Sequence, residues 1–285
     1  MTIRITDITS DEAAAYSQLN ENQLKHIYEP EEGLFIAESI NVIKRAMDSG
    51  YIAESFLIED NLLEKAKEIT EAHPDVKIYT ADKEVISKLT GYPMTRGVLA
   101  AMKRQHQQDY RELLSGADHI AVLSGIENPT NVGAIFRSAA ALGIDAVLVS
   151  PDSCDPLYRR SIRVSMGTVF QVPWTVIPGI DWTKGLFADL KEDGYVTIAT
   201  AISEDARSLD ETGDIWKQKC AVFFGTEGDG LSEEVINKCD HKVMIPMEKG
   251  VDSLNVAASS AVIFWEMKRS LRICSTYDHN KYWSR

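Results

Sequence analysis

The chain has 285 residues, of which 44% are hydrophobic and 26% are charged. This composition is typical of a folded globular protein and excludes wholesale disorder. No apolar run approaches the ~18 residues that a membrane helix needs, the N-terminus lacks the apolar core of a secretory signal, and the cysteines form no CxxC pair. We therefore expect a cytoplasmic protein with no membrane partner and no metal site.

The charge balance constrains the possible partners. Lys and Arg total 30 against 43 Asp and Glu, which gives a net charge of −13, whereas phosphate binders usually carry a basic surface. Any contact with nucleic acid must therefore come from local basic clusters. The candidates are Arg159, Arg160 and Arg163, followed by Lys268, Arg269 and Arg272.

The first third of the chain predicts a mixture of helices and strands. Helical spacing of apolar residues predicts helices over 13–28, 37–49, 61–72 and 82–89. Short apolar runs predict strands over 55–59, 76–80 and 97–102. The polar stretch that follows predicts a linker over 106–117, whose central residues could also form a helical turn or more.

Strands alternate with helices from residue 118 onwards. Apolar runs predict strands over 119–125, 146–150, 196–201, 220–225 and 242–246. Helices are predicted over 132–142 and, at the end of this region, over 253–271. Strand, helix and strand in succession form a βαβ unit, and continuous apolar runs are typical of parallel strands buried on both faces. The predicted fold class is therefore α/β with a parallel sheet.

Three polar or glycine-rich stretches follow predicted strands, at the edge where open α/β sheets bind their ligands. In the first, 126–143, Asn131 is a candidate N-cap of the helix that carries Arg137. In the third, 244–262, Ser253 is a candidate N-cap, whereas Asn255 is a poor helix former and a stronger functional candidate. For the first stretch taken alone, a capped amphipathic helix with one solvated Arg explains the residues equally well, and Ser253 alone is explained by a cap.

The second stretch, 223–235, places Gly225, Gly228 and Gly230 in a turn between a strand and a helix that Ser232 could cap. The glycine spacing matches neither GxGxxG nor a P-loop. Four carboxylates would repel a phosphate there, namely those of Glu227, Asp229, Glu233 and Glu234. The pattern therefore disfavours a dinucleotide and favours a ligand of little anionic charge, held by backbone groups.

Together these stretches resemble the three motifs of the SpoU-type RNA 2′-O-ribose methyltransferases of the SPOUT class, over roughly residues 118–272. The family's N-x-G-x-x-x-R pattern is matched by Asn131, Gly133 and Arg137. Its G-x-E-G-x-G-L pattern is matched by Gly225, Glu227, Gly228, Gly230 and Leu231. Its I-P-M and S-L-N-V elements are matched by Ile245–Met247 and Ser253–Val256, and its R-x-S-M-G element by Arg163 and Ser165–Gly167.

The residues ahead of this region resemble, less closely, the substrate-binding domain that often precedes it. Segments 33–39 and 96–102 match its opening and closing segments, with Ser39 where the family commonly has Gly and Arg96-Gly97 in place of a QG-like pair. The resemblance implies an RNA substrate-binding domain over 1–105, a linker over 106–117, a methyltransferase domain over 118–275 and a tail over 276–285.

The resemblance also implies a fold, a cofactor and an assembly. The fold is an α/β SPOUT domain whose C-terminal segment forms a trefoil knot, preceded by the smaller α/β domain, and the usual assembly is a homodimer. The cofactor is S-adenosylmethionine, bound in the knot by main-chain groups. Carried onto this sequence, the cofactor-binding residues are Gly225, Ile245, Met247 and Leu254. The catalytic residues are Arg137, Asn131, Glu227, Ser253 and Asn255.

The implied roles need one physical adjustment. The family's proposed general base maps to Arg137, but an Arg holds its proton up to a pKa above ~12. Arg137 could instead clamp a phosphate and act on the hydroxyl through its field. Ser253 and Asn255 would orient the hydroxyl or Arg137. Asn131 would brace Arg137, and Glu227 would hold its loop or balance the sulfonium charge.

Several alternatives stay open. Arg159, Arg160 and Arg163 are expected to bind RNA beside the cofactor mouth, and the extra N-terminal domain favours ribosomal RNA over transfer RNA. A catalytically inactive RNA-binding protein of the same fold is disfavoured because the motif residues are intact. A small-molecule binder or another α/β enzyme, such as a nucleotide-dependent dehydrogenase, is disfavoured by the missing GxGxxG and the acidic loop.

Overall fold

The computed structural model describes residues 2–17, 33–90, 97–251 and 253–272, with the backbone alone for Thr90 and Arg272. The strands in chain order are β1 Thr2–Arg4, β2 Leu34–Glu38, β3 Ala53–Glu59, β4 Lys77–Ala81, β5 Val98–Lys103, β6 His119–Leu123, β7 Ala146–Val149, β8 Trp174–Val176, β9 Val196–Thr200, β10 Arg207–Ser208, β11 Cys220–Phe224 and β12 His241–Met244. The α-helices are α1 Ala14–Ser17, α2 Ile40–Asp48, α3 Leu63–Ala72, α4 Lys83–Thr90, α5 Tyr110–Gly116, α6 Pro129–Leu142, α7 Arg159–Ser165, α8 Trp182–Glu192, α9 Glu233–Lys238 and α10 Val256–Arg272. In this described part, no helix is long and apolar enough to cross a membrane.

The chain divides into two compact units. The first runs as far as Gln107 and also takes in Asp155–Gln171, and the second comprises Gln108–Cys154 and the chain from Val172 onwards. The predicted linker, 106–117, contains helix α5, which begins where the Asp109 side chain accepts a hydrogen bond from Arg111 N at 3.0 Å. Its apolar side chains belong to the core of the second unit. The predicted domain boundaries stay predictions, and the predicted tail, 276–285, lies outside the described residues.

The first unit is built on a five-stranded sheet in the order β1-β4-β3-β5-β2. β5 runs antiparallel to both of its neighbours, whereas the pairs β1–β4 and β3–β4 are parallel. The strands predicted over 55–59, 76–80 and 97–102 are confirmed. The helix predicted from residue 37 is wrong at its start, because residues 34–38 pair with β5 and the helix begins only at Ile40. Of the helix predicted over 13–28, the described part is Ala14–Ser17, and 18–28 lie outside the described residues.

Segment Asp155–Gln171 is attached to the first unit by buried ion pairs. The guanidinium of Arg104 lies 3.0 Å from the carboxylate of Asp155, and the two side chains are 6% and 2% exposed. The guanidinium of Arg159 pairs with the carboxylate of Glu38, which is also largely buried. Charges removed from water need such partners. Helix α7, which follows β7 along the chain, is therefore part of the first unit.

The second unit contains a seven-stranded sheet in the order β10-β12-β9-β11-β6-β7-β8, and its neighbouring strands all run parallel. Every residue of the inner strand β11 is buried, as continuous apolar runs predict for parallel strands. The five strands predicted from residue 118 onwards are confirmed, and each ends one or two residues earlier than predicted. The α/β fold class is confirmed, and the trefoil knot stays a prediction.

Two helix caps differ from those predicted. Helix α6 is capped by Asn128, whose side chain accepts a hydrogen bond from Thr130 N at 2.9 Å, and not by Asn131. Helix α10 begins at Val256, and the Asn255 side chain accepts a hydrogen bond from Ala257 N at 3.0 Å, so Ser253 is not its cap. In α6 the asparagine-proline pair begins the helix one turn earlier, since proline suits the first helical position. Asn131 therefore lies inside α6 and is buried.

Candidate active site

A cavity of about 310 Å³ lies at the carboxyl ends of β9, β11 and β12, which are neighbours in the second sheet. This is the edge at which ligands bind in open α/β sheets. The loops after the three strands and the residues just before α10 provide most of its wall. The wall residues that matter below are Thr200–Ile202, Gly225–Leu231, Ile245, Met247, Ser253 and Leu254.

The glycine-rich loop after β11 folds back on itself. Thr226 N donates a hydrogen bond to Gly230 O at 3.0 Å, and Gly230 has a φ of +71°, which glycine adopts readily. A Cβ at Gly225 would lie 2.2 Å from the carbonyl carbon of Gly230 and 2.3 Å from Leu231 N. Gly225 therefore admits no side chain. Gly228, at the tip of the same loop, has nothing within 4 Å of its would-be Cβ.

Three polar side chains from three separate motifs form one network. The Nδ2 groups of Asn131 and Asn255 both donate to Oε1 of Glu227, and Asn255 Nδ2 also donates to Asn131 Oδ1 at 3.2 Å. Asn131 is 5% exposed, whereas Glu227 and Asn255 are exposed. The network joins the glycine loop to the first turns of α6 and to the start of α10.

The structure brings the predicted cofactor-binding residues together. Gly225, Ile245, Met247 and Leu254 line the same cavity, although they come from two motifs in the separate loops after β11 and after β12. Ser253, predicted to be catalytic, lines the same cavity. Their functional roles stay predictions.

Sequence reasoning missed the part of the wall that follows β9. Thr200, Ala201 and Ile202 line the cavity, and Ile202 is 67% exposed. The sequence predicts β9 itself, but the residues after it, including the polar Ser203–Asp205, belong to none of the three motifs. The available signal was positional, because every parallel strand beside β11 delivers its carboxyl end to the same edge.

Arg137 lies on the exposed face of α6. Among the residues that the structure describes, none forms a hydrogen bond or an ion pair with its guanidinium, and the expected contacts to Ser253 and Asn255 are therefore not formed. The side chain of Asn131 bonds to Glu227 and does not brace Arg137.

The side chains of the two basic clusters differ in their partners and in their exposure. Arg159 pairs with Glu38 in the first unit, whereas Arg160, on the same helix α7, is exposed and Arg163 is half-buried. In the second cluster, Lys268 Nζ donates to Ala141 O at 3.3 Å and Arg269 pairs with Glu266 at 2.6 Å. The side chain of Arg272 lies outside the described residues.

The acidic character of the cavity comes from two carboxylates. Glu227 and Asp229 line the cavity. Glu234 lies on α9, and its hydrogen bond with Lys238, at 2.6 Å, lowers the pKa of its carboxyl group and balances its charge. Within the described residues, no cluster of three or more His, Cys, Asp or Glu could hold a metal ion.

Comparison with known proteins gives a consistent result. Residues 118–265 match the model of the SpoU rRNA Methylase family. An uncharacterized tRNA/rRNA methyltransferase of Mycobacterium bovis is 36% identical over 240 residues, which cover 84% of this chain and 82% of that protein. The 23S rRNA (guanosine-2′-O-)-methyltransferase RlmB of Neisseria meningitidis serogroup B is 28% identical over 228 residues, which cover 76% of this chain and 87% of that protein.

The fold of this chain also matches that of a solved structure. The crystal structure of an AdoMet-bound rRNA methyltransferase from Sinorhizobium meliloti matches with a TM-score of 0.78 and 22% identity, covering 95% of this chain and 98% of that chain. The α/β fold with its parallel sheet is thus the fold of the SpoU class of RNA methyltransferases. The chain belongs to the SpoU rRNA methylase family, and the resemblance inferred from its motifs is confirmed.

Proposed function

We propose that this protein transfers a methyl group from S-adenosylmethionine to a ribose 2′-hydroxyl of RNA, with ribosomal RNA as its substrate. The observation that carries the proposal is the cavity at the carboxyl ends of β9, β11 and β12, which is lined by residues of the second and third motifs. The 2′-oxygen is supported by the relative from Neisseria meningitidis, whose name states that specificity.

The chemistry of the cavity suits S-adenosylmethionine. This cofactor carries a sulfonium cation and no phosphate, so the carboxylates of Glu227 and Asp229 would attract it, whereas they would repel a nucleotide phosphate. The loop that closes on Gly225 leaves no room for a side chain and offers main-chain groups to a ligand. When bound, the cofactor supplies an electrophilic methyl group. Gly225, Ile245, Met247 and Leu254 would hold it.

The remaining motif residues would position the RNA ribose. Arg137 has an exposed guanidinium with no partner in the described chain, which suits a clamp on an RNA phosphate. Ser253, at the cavity wall, would orient the 2′-hydroxyl. Asn131 and Asn255 would keep the glycine loop and the start of α10 in register through Glu227. Alignment of this kind supplies a large part of the rate in a displacement reaction.

The RNA would be bound by a local basic cluster in spite of the net charge of −13. Of the predicted cluster Arg159, Arg160 and Arg163, we assign this role to Arg160 and Arg163, because Arg159 pairs with Glu38. Ribosomal RNA is favoured by the additional N-terminal unit and by the relative that acts on 23S rRNA, whereas the mycobacterial relative leaves transfer RNA as the second candidate. We place the protein in the cytoplasm.

The working assembly would be a homodimer, as the family resemblance implies. Helix α10 presents Val262 and Trp265 on one face, with Trp265 53% exposed, which is unusual for so large an apolar side chain on a monomer. Burial of this face against a second copy would remove it from water.

The test is methyl transfer from labelled S-adenosylmethionine to total RNA, followed by separation of rRNA from tRNA and mapping of the modified ribose. We expect one labelled position, resistant to alkaline cleavage on its 3′ side because the 2′-oxygen is blocked. Cofactor binding without transfer to any RNA would favour the catalytically inactive RNA-binding alternative. No binding at millimolar cofactor, measured by calorimetry, would reject the proposal.

A further inference from the structure

The carboxylate of Glu227 is held at the cavity wall by one of its two oxygens. Oε1 accepts hydrogen bonds from the amide groups of Asn131 and Asn255. No residue of the described chain donates a hydrogen bond to Oε2, and the residue as a whole is exposed. A carboxylate oxygen that accepts no other bond can accept a proton.

The other candidates for this role are weaker. A guanidinium such as that of Arg137 has no acceptor site for a proton, and the amides of Asn131 and Asn255 already act as donors. Asp229 is the second carboxylate among the described wall residues, but its carboxylate accepts no bond there that would fix its orientation. A general base must present a free lone pair from a fixed position. Among the carboxylates of the described cavity wall, only that of Glu227 has one oxygen fixed by side-chain hydrogen bonds and the other oxygen without a donor.

We infer that Glu227 is the general base that takes the proton of the RNA 2′-hydroxyl through Oε2. This inference rests on the proposed function and assigns the proton transfer within it. The 2′-oxygen forms its bond to the methyl carbon as the carbon–sulfur bond breaks, and the electron pair of that bond leaves on sulfur. The proton of the 2′-hydroxyl passes to Glu227 Oε2 and then to solvent, which reaches this exposed side chain.

The test compares two substitutions at one position. Glu227→Gln keeps a carbonyl oxygen that can accept both amide hydrogen bonds, but the group cannot take a proton at neutral pH. Glu227→Ala removes the base and the network together. Glu233→Gln is the matched control, because it removes one carboxylate at an exposed position of α9 that does not line the cavity. Three quantities are measured: single-turnover methyl transfer to RNA, affinity for S-adenosylhomocysteine by calorimetry, and the thermal midpoint of the ligand-free protein.

We expect Glu227→Gln to lose at least ~100-fold in the rate of methyl transfer, within the range of general bases. Its thermal midpoint and its affinity for S-adenosylhomocysteine should stay at the wild-type level, whereas Glu227→Ala should lower the midpoint, and Glu233→Gln should behave as wild type in all three assays.

Two results with an active wild type would overturn the inference. A Glu227→Gln protein that methylates RNA at a near-normal rate needs no base at this position. If Glu227→Gln loses affinity for S-adenosylhomocysteine, or has a thermal midpoint as low as that of Glu227→Ala, the side chain acts only through the hydrogen-bond network. If the wild type itself places no methyl group on a ribose, the proposed function fails and this inference fails with it.

Discussion

Asn255 donates a hydrogen bond from Nδ2 to Oδ1 of Asn131 at 3.2 Å, across 124 positions of the chain. Asn255 also caps α10, while Asn131 lies buried inside α6. Both amides converge on the carboxylate of Glu227 in the glycine loop. The three motifs, which are separate in sequence, are therefore one polar structure in the fold, and the stability of each depends on the other two.

We predict that Asn131→Ala and Asn255→Ala are coupled. Each should lower the free energy of unfolding by about 1–3 kcal/mol, since each leaves a polar partner without its hydrogen bond. The double variant should lose less than the sum of the two, because the hydrogen bond from Asn255 to Asn131 is broken in both single variants. Urea denaturation of the four proteins measures the coupling, and strictly additive losses would contradict a shared network.

Gly225→Ala should disrupt the glycine loop. The added Cβ would lie 2.2 Å from backbone, so the chain at Gly230 and Leu231 has to move and the cavity wall with it. We expect a marked loss of affinity for S-adenosylhomocysteine together with a lower thermal midpoint. Gly228→Ala is the matched control, since its Cβ meets nothing within 4 Å and should change neither quantity. Equal behaviour of the two variants would argue that the loop tolerates side chains at both sites.

The arginines of α7 should separate by function. Arg159→Gln leaves the largely buried carboxylate of Glu38 without its guanidinium and should lower the free energy of unfolding by about 3 kcal/mol. Substitution of Arg160 and Arg163 by Gln should weaken RNA binding and reduce the slope of log affinity against log salt by roughly one for each RNA phosphate that is no longer neutralised. Binding of RNA fragments at several salt concentrations tests this, and an unchanged slope in the double variant would remove both arginines from the RNA surface.

If the protein is a homodimer that buries the exposed face of α10, a charge placed on that face should separate the two copies. Trp265→Glu places a charge on an exposed apolar face that a second copy would bury, so we expect a monomer in sedimentation experiments. Ile180→Glu is the control, because Ile180 is 97% exposed in a loop that precedes α8. A wild type that sediments as a monomer, or a Trp265→Glu variant that remains a dimer, would exclude this face as the interface.

The sequence predicted the elements whose structure depends on local pattern. Strands β9, β11 and β12 are continuous apolar runs, and the motif residues that follow β11 and β12 identify the cavity in advance. Helix α7 was not predicted, because its arginines interrupt a short apolar pattern and its position depends on an ion pair between residues 121 positions apart. No local rule reports such a contact.

The N-cap of α6 was predicted wrongly for a different reason. Asn131 and Asn128 are both good N-cap residues, and the deciding signal is the proline after Asn128, which favours the earlier start. Once α6 starts there, Asn131 faces the interior and becomes available to Glu227. The polar network therefore depends on which of the two asparagines caps α6, and the types of the single residues do not show which one does.

Substitution of Arg137 tests most directly whether a motif residue has a catalytic or a structural role. Its guanidinium is exposed and has no partner in the described chain, so Arg137→Ala should leave the thermal midpoint unchanged. Affinity for S-adenosylhomocysteine should also stay nearly intact, because the cavity is lined by residues of the other two motifs. We expect both Arg137→Ala and Arg137→Lys to lower the turnover of methyl transfer by at least ~100-fold, as positioning and acid–base groups do. Lysine keeps the charge but loses the planar fork that holds a phosphate through two bonds, so it should not rescue the reaction. Near-normal methylation by Arg137→Ala, measured with the same RNA and at saturating cofactor, would make Arg137 an ordinary solvated helix residue and would move the phosphate clamp to another cation.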